Sequence, residues 1–89
     1  MYAIHVKEPG GETESYVLGT AARTPKSAVQ LMFSRAEEFV AEQAEVDAEA
    51  AEDYIIEAHG ELGVVVYDSA SENHHVVILF EATAISEVV

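Results

Sequence analysis

The sequence predicts an α+β domain: a four-stranded, mainly antiparallel sheet in the order β-β-α-α-β-β, with a long, broken, acidic helix region packed on one face. Three observations predict it. Tyr2, Ile4 and Val6 alternate with Ala3, His5 and Lys7, the period of a strand with one buried face. From Thr24 onward the apolar residues recur instead at helical spacing. Beyond Gly60 two β-branched runs flank a polar loop, the pattern of a second hairpin.

Taken in order, Glu8-Pro9-Gly10-Gly11-Glu12 supplies a turn after the first strand, and Thr13 to Gly19 forms the second. Thr24-Pro25-Lys26-Ser27 is a helix start, with Thr24 as N-cap and Pro25 at the first helical position, where its missing N–H costs nothing. Val29, Met32, Phe33, Ala36 and Val40 then fall in one sector at 100° per residue, with Phe39 at its edge, so this stripe faces the sheet. A helix unbroken to His59 would run about 52 Å, more than twice the length of a seven-residue strand. Asp47 is the predicted break: as an N-cap it can accept from the amide of Glu49 or Ala50, with Val46 as a hydrophobic staple. The second helix is expected to end at His59, with Gly60 as its left-handed cap. Leu62 to Tyr67 and His74 to Glu81 are the last two strands, joined by Asp68-Ser69-Ala70-Ser71-Glu72-Asn73.

In the last strand Val76, Ile78 and Phe80 should face one way and Val77 and Leu79 the other, while Val64, Val65 and Val66 make the third strand apolar on both faces. Helices on one side leave that second face uncovered. A homodimer contact or docked partner is therefore expected across Val77 and Leu79, or through the tail Ala84-Ile85-Ser86-Glu87-Val88-Val89.

The chain has 89 residues, which make one domain with an adequate core and little room for two sites. It has no cysteine, which removes zinc-thiolate sites, disulfides and thiol nucleophiles and fits a reducing cytoplasm. No apolar run approaches the roughly 18 residues of a membrane span, and no export signal is expected at the start. Hydrophobic residues are 49% of the chain, which separates it from acidic disordered tails and predicts a folded domain.

The charge is one-sided. Of the 17 acidic residues, all but Glu8, Glu12 and Glu14 follow Ala36, and the four basic residues, Lys7, Arg23, Lys26 and Arg35, all precede it. Such a field attracts cationic surfaces and repels nucleic acid and anionic membrane. Glu38, Glu42, Glu45, Glu49 and Glu52 recur at steps of four and three, so in a nearly collinear helix they share one face, with Asp53 beside them. A solvated outer face does this in any amphipathic helix, but usually with Lys interleaved. Here seven like-charge pairs between Glu38 and Glu61 at i,i+3 or i,i+4 are expected to cost about 1.5–3.5 kcal/mol together, which suggests that the charge is useful. Five carboxylates over about 21 Å approach the charge density of one DNA strand. A face of this kind can fill a Lys/Arg-lined groove that serves nucleic acid.

In composition, size and mixed α/β character the chain resembles the small phage-encoded DNA mimics that inhibit restriction enzymes, uracil-DNA glycosylase or CRISPR surveillance complexes. The likeness rests on Glu37 to Glu61 and on the acidic C-terminal part, and no family's functional residues are carried over with it. It implies a stoichiometric anti-CRISPR or anti-restriction inhibitor in the host cytoplasm, with no chemistry of its own. The expected partner is a basic nucleic-acid-binding protein, met by Glu38, Glu42, Glu45, Glu49, Glu52, Asp53 and Glu57, with Tyr54 on the second helix as an aromatic anchor.

No catalytic residue, metal or cofactor is expected. His74 and His75 are strand neighbours that point to opposite faces, so they cannot share one ion. The acids share one solvated setting, without the contrast that acid–base catalysis needs. Two other readings fit the composition: a small dimeric adaptor or antitoxin-like protein that binds through the apolar sheet face, and an ordinary domain of a halophile. The excess of Glu over Asp and the confinement of charge to one part argue against the halophile.

Overall fold

A computed structural model describes residues 1–8, 14–17 and 22–85. The elements are β1 (Tyr2–Lys7), β2 (Glu14–Val17), α1 (Pro25–Val46), α2 (Ala48–Glu52), β3 (Tyr54–Ala58), β4 (Gly63–Asp68) and β5 (His75–Ala84). All strand pairs are antiparallel, in the order β2-β1-β5-β4-β3. The α+β class and the helices on one face agree with the sequence reading. The predicted turn at Pro9–Glu12 and most of the tail, residues 86–89, lie outside the described residues.

One element is corrected. The second helix stops at Glu52, and Tyr54–Ala58 is an edge strand, which makes a five-stranded sheet. Tyr54, Ile55 and Ile56 are aromatic and β-branched, so they favour a pleated surface, and they pair with Asp68, Tyr67 and Val66 of β4. Gly60 does adopt the left-handed conformation, with φ of 69°, but it turns the β3–β4 hairpin instead of capping a helix. The His59 N–H donates to the Gly63 carbonyl across that turn at 2.9 Å. A Cβ at Gly63 would run into the His59 carbonyl, so only glycine closes the hairpin this tightly.

The start of α1 is as predicted and tighter. Thr24 Oγ1 accepts from the Ser27 amide at 3.1 Å, and Ser27 Oγ accepts from the Thr24 amide at 3.2 Å, a reciprocal capping box. The helix then carries the chain from the β2 edge to the β3 edge. Five strands span about 19 Å, while 22 helical residues run about 33 Å. The helix is thus longer than the sheet is wide, and Val46 at its end is 84% exposed, so it is not the staple expected of it. At Asp47 (φ −149°, ψ 89°) the helix breaks, and Asp47 Oδ1 accepts from the Ala50 amide at 3.2 Å, starting α2.

The core lies between α1 and one sheet face. Ala28, Met32 and Ala36 meet Ile4, Val64, Val66, Ile78, Phe80 and Ala82, all buried. Opposite Val66 and Tyr67 the register of β5 slips: Val66 faces Ile78 and Tyr67 faces Val76, leaving Val77 as a bulge residue. A bulge sets two neighbouring side chains against one partner. Val77 consequently packs against the helix-side core, and Val76 moves to the uncovered face.

Candidate functional site

The carboxylates expected to bind a partner are all exposed: Glu38, Glu42 and Glu45 on α1, Glu49 and Glu52 on α2, Asp53 at its C-cap and Glu57 on β3. They do not form one stripe. The collinear part is Glu38 to Glu45, about 10 Å long, and the break at Asp47 starts a new axis. Within the helices three repulsive pairs remain of the seven expected, Glu38/Glu42, Glu42/Glu45 and Glu49/Glu52, worth about 0.6–1.5 kcal/mol together. The others fail because Asp47 interrupts the helix and because Glu57 and Glu61 are not helical.

A further cost comes from the helix itself. The last turn of α1 contains Glu45 and no basic residue, so a carboxylate stands at the negative end of the helix dipole, where a cation is favoured by about 0.3–1 kcal/mol. Arg35 does meet Glu38, at 3.5 Å, with both side chains largely exposed. Beyond Arg35 the sequence supplies no further Lys or Arg.

The acids divide between two flanks of α1. On the flank toward β1 and β5, Arg35, Glu38 and Glu42 line a depression with Glu8, over Phe39 and Phe80. On the other flank, between the end of α1, α2 and β3, lies a groove of about 450 Å³. Val40, Ala44, Ala51 and Ile56 are among its lining residues, and its charged ones are Glu37 and Glu52. Glu37 was not singled out from sequence, since the groove exists only once the chain leaves the α1 axis at Asp47.

Glu57 and Tyr54 part company. Tyr54 is half-buried and packs against the core, on the helix side of β3 rather than on a second helix. Glu57 pairs with Val65 on the uncovered face, where its Oε1 accepts from the Tyr67 hydroxyl at 3.1 Å. Burial first, and then this carboxylate, push the Tyr67 pKa above its ordinary value. The Tyr67 ring stacks on that of His74, with centroids 5.2 Å apart.

The uncovered face is mixed in character. Ile55 and Val76 are each 38% exposed, and Leu79 lies directly between Lys7 and Val65. Of the two residues expected there, Leu79 stands on this face and Val77 does not. Polar groups flank the apolar ones: Lys7 Nζ donates to Glu81 Oε1 at 2.8 Å, and His5 Nε2 and Thr83 Oγ1 are 3.0 Å apart. The bond from Lys7 is the main reason the Glu81 carboxyl titrates below the usual carboxylate range.

Among the described residues no group of three His, Asp or Glu could hold a metal ion, and no helix is long and apolar enough to cross a membrane. Compared with protein-family models, curated proteins and solved structures, the chain matches none.

Proposed function

We propose that the protein is an acidic nucleic-acid mimic: it binds a basic nucleic-acid-binding protein or complex and blocks it stoichiometrically, as a phage anti-CRISPR or anti-restriction inhibitor would. One observation carries this reading. The carboxylates from Glu37 to Asp53 are exposed along the end of α1 and along α2, on a stretch that contains no Lys or Arg, with Arg35 just before it meeting Glu38 at 3.5 Å. Two of the local rules that would reduce the charge, alternation with Lys and a cation at the helix C-terminus, are both broken. A solvated outer face gains nothing from breaking them, whereas a surface that replaces phosphate does.

The test is capture of partners from host lysate at about 0.1 M salt, with release by about 0.5 M salt or by added duplex DNA. A nucleic-acid-binding complex that is held, released by DNA, and lost when Glu42, Glu45 and Glu49 are replaced by Gln supports the mimic. Retention by the triple variant, or a partner indifferent to DNA, would sink it.

A second reading, an adaptor or homodimer joined through the uncovered sheet face, is favoured by the exposure of Ile55 and Val76 beside Leu79. It predicts that Ile55→Glu with Val76→Glu abolishes self-association in sedimentation while leaving the fold intact. A wild-type protein that sediments as a monomer at about 0.1 mM removes the homodimer, since a specific interface should hold at that concentration.

A further inference from the structure

The groove between α1, α2 and β3 has an uncommon makeup for the end of a highly charged helix. Ala41 and Ala48 are exposed, Ala44 is half-buried, and Val40 and Ile56 complete an apolar lining. Glu37 comes from α1 and Glu52 from α2. We propose that this groove takes the apolar face of a cationic amphipathic helix belonging to the basic partner, with Glu37 and Glu52 receiving its Lys or Arg side chains. The inference rests on the reading of the protein as a ligand for a basic partner, and it adds the structural element that is recognised.

Three features select that occupant. Its sign follows from the charge: the chain carries a net −13, and the charged lining residues are carboxylates, so an anionic helix or nucleic acid would be repelled. Its apolar face follows from the lining, because phosphate or a freely hydrated lysine gains nothing from Val40, Ala44 and Ile56, whereas Leu or Met side chains remove that surface from water. Its helical form follows from the walls. Mid-helix residues of α1 spend their backbone groups within the helix, and β3 reaches the groove through Ile56 on the helix side of the sheet, so the walls offer side-chain surface, which a helix matches with residues at i, i+3, i+4 and i+7 and an added strand does not. The alanines matter for distance, since helices approach to the short end of the roughly 8–10 Å range when the residues between them are small.

The volume agrees with this. About 450 Å³ holds a few aliphatic side chains rather than a whole domain, and it lies within the range of clefts that bury ligands. Anchoring by a few side chains with a charged rim is how hot spots are commonly arranged. The carboxylates elsewhere on α1 would then steer the partner, and the groove would fix its orientation.

The probe is a labelled Lys/Leu/Ala peptide with leucines at i, i+3, i+4 and i+7, set against a scramble of the same composition that cannot gather its leucines on one face. Binding to the wild-type protein is read by fluorescence anisotropy at about 0.05 M and about 0.5 M salt. The amphipathic peptide should bind about tenfold or more tightly than the scramble, the difference that one well-buried aliphatic anchor supplies. Ala44→Trp, which fills the groove, should erase that margin. Ala41→Lys, at an exposed helical position that tolerates lysine, should do the same by placing a cation in the site. Glu37→Gln with Glu52→Gln should weaken the amphipathic peptide and flatten its salt dependence. Circular dichroism of each variant separates loss of the groove from loss of the fold.

Equal and salt-sensitive binding of both peptides overturns the groove while leaving the mimic reading intact. A margin that survives both Ala44→Trp and Ala41→Lys in folded variants overturns it as well. If neither peptide binds even at low salt, the groove and attraction to basic partners fail together.

Discussion

The two flanks of α1 carry the same residue type in opposite settings. Toward β1 and β5, Glu38 and Glu42 stand around Arg35, beside Phe39 and Phe80. Toward α2 and β3, Glu37 and Glu52 stand over Val40, Ala44 and Ile56, with no Lys or Arg among the lining residues. On the first flank the nearby cation partly answers the acids, and the apolar neighbours belong to the packing of helix on sheet. On the second the charge is unanswered and the apolar surface is left over after folding. The binding surface proposed on this helix is therefore set by acidity beside uncovered apolar surface, not by acidity alone.

Both flanks depend on the packing of the helix that separates them. Met32 is fully buried beneath α1, with Ala28 and Ala36 on either side. Met32→Ala should cost about 2–5 kcal/mol, because little of the resulting cavity can close against a sheet. Against a total of about 5–15 kcal/mol for a small domain, urea unfolding should register a large drop in midpoint, with both flanks lost together. A drop of less than about 1 kcal/mol would mean that the sheet, not α1, dominates stability.

Asp47 gives a smaller and one-sided test. Its carboxylate caps α2 through the Ala50 amide, so Asp47→Ala should cost about 0.5–2 kcal/mol. Its reach differs between the flanks, because only the groove has a wall on α2. Binding of the amphipathic peptide should fall, while the environment of Phe39, followed by its aromatic NMR signals, stays put. Equal changes on both flanks would show that the break at Asp47 organises the whole helix.

That break was readable from sequence because a lone Asp in an apolar sector has few other uses, and Thr24-Pro25 was readable because capping is local. The error at Tyr54–Ala58 has a physical source. Glu49, Glu52, Asp53 and Glu57 keep a helical period through the segment, while Tyr54, Ile55 and Ile56 favour a strand, and pairing with β4 decided between them. The bulge at Val77 was not legible, since no glycine or polar residue marks it. For the site, the exposure of Glu38, Glu42 and Glu45 followed from the apolar stripe opposite them. The groove beside Glu37 did not, because it depends on where α2 points after the break.

Reversing one charge sharpens the claim that the acids are held at a cost. Glu45→Lys puts a cation in the last turn of α1, where the dipole favours it, and relieves the repulsion from Glu42. The variant should gain about 0.5–1 kcal/mol, seen as a melting temperature raised by several degrees. It should at the same time weaken capture of the proposed basic partner. A variant no more stable than the wild type would leave the acids without a local cost, and a solvated surface would explain them.

The smallest effect comes from the uncovered sheet face, away from both flanks, and serves as their control. The bond from Lys7 holds the Glu81 carboxyl below the usual range in the folded protein. A carboxyl lowered on folding adds stability above its unfolded pKa and loses it as pH falls through the folded value. Stability should therefore decline a little on acidification below the ordinary carboxylate range. Lys7→Met should remove that part of the decline. Both side chains are about half exposed or less, at 50% and 39%, so the pair is worth about 0–1 kcal/mol and should fade with salt. Because Lys7 lies on the uncovered face of β1 and Glu45 near the end of α1 on the other side of the sheet, the effects of Lys7→Met and Glu45→Lys should add within about 0.5 kcal/mol. A larger discrepancy between the double variant and the sum of the singles would mean that the acidic helix acts on the opposite sheet face through its long-range field, and the two flanks could then no longer be treated as separate local settings.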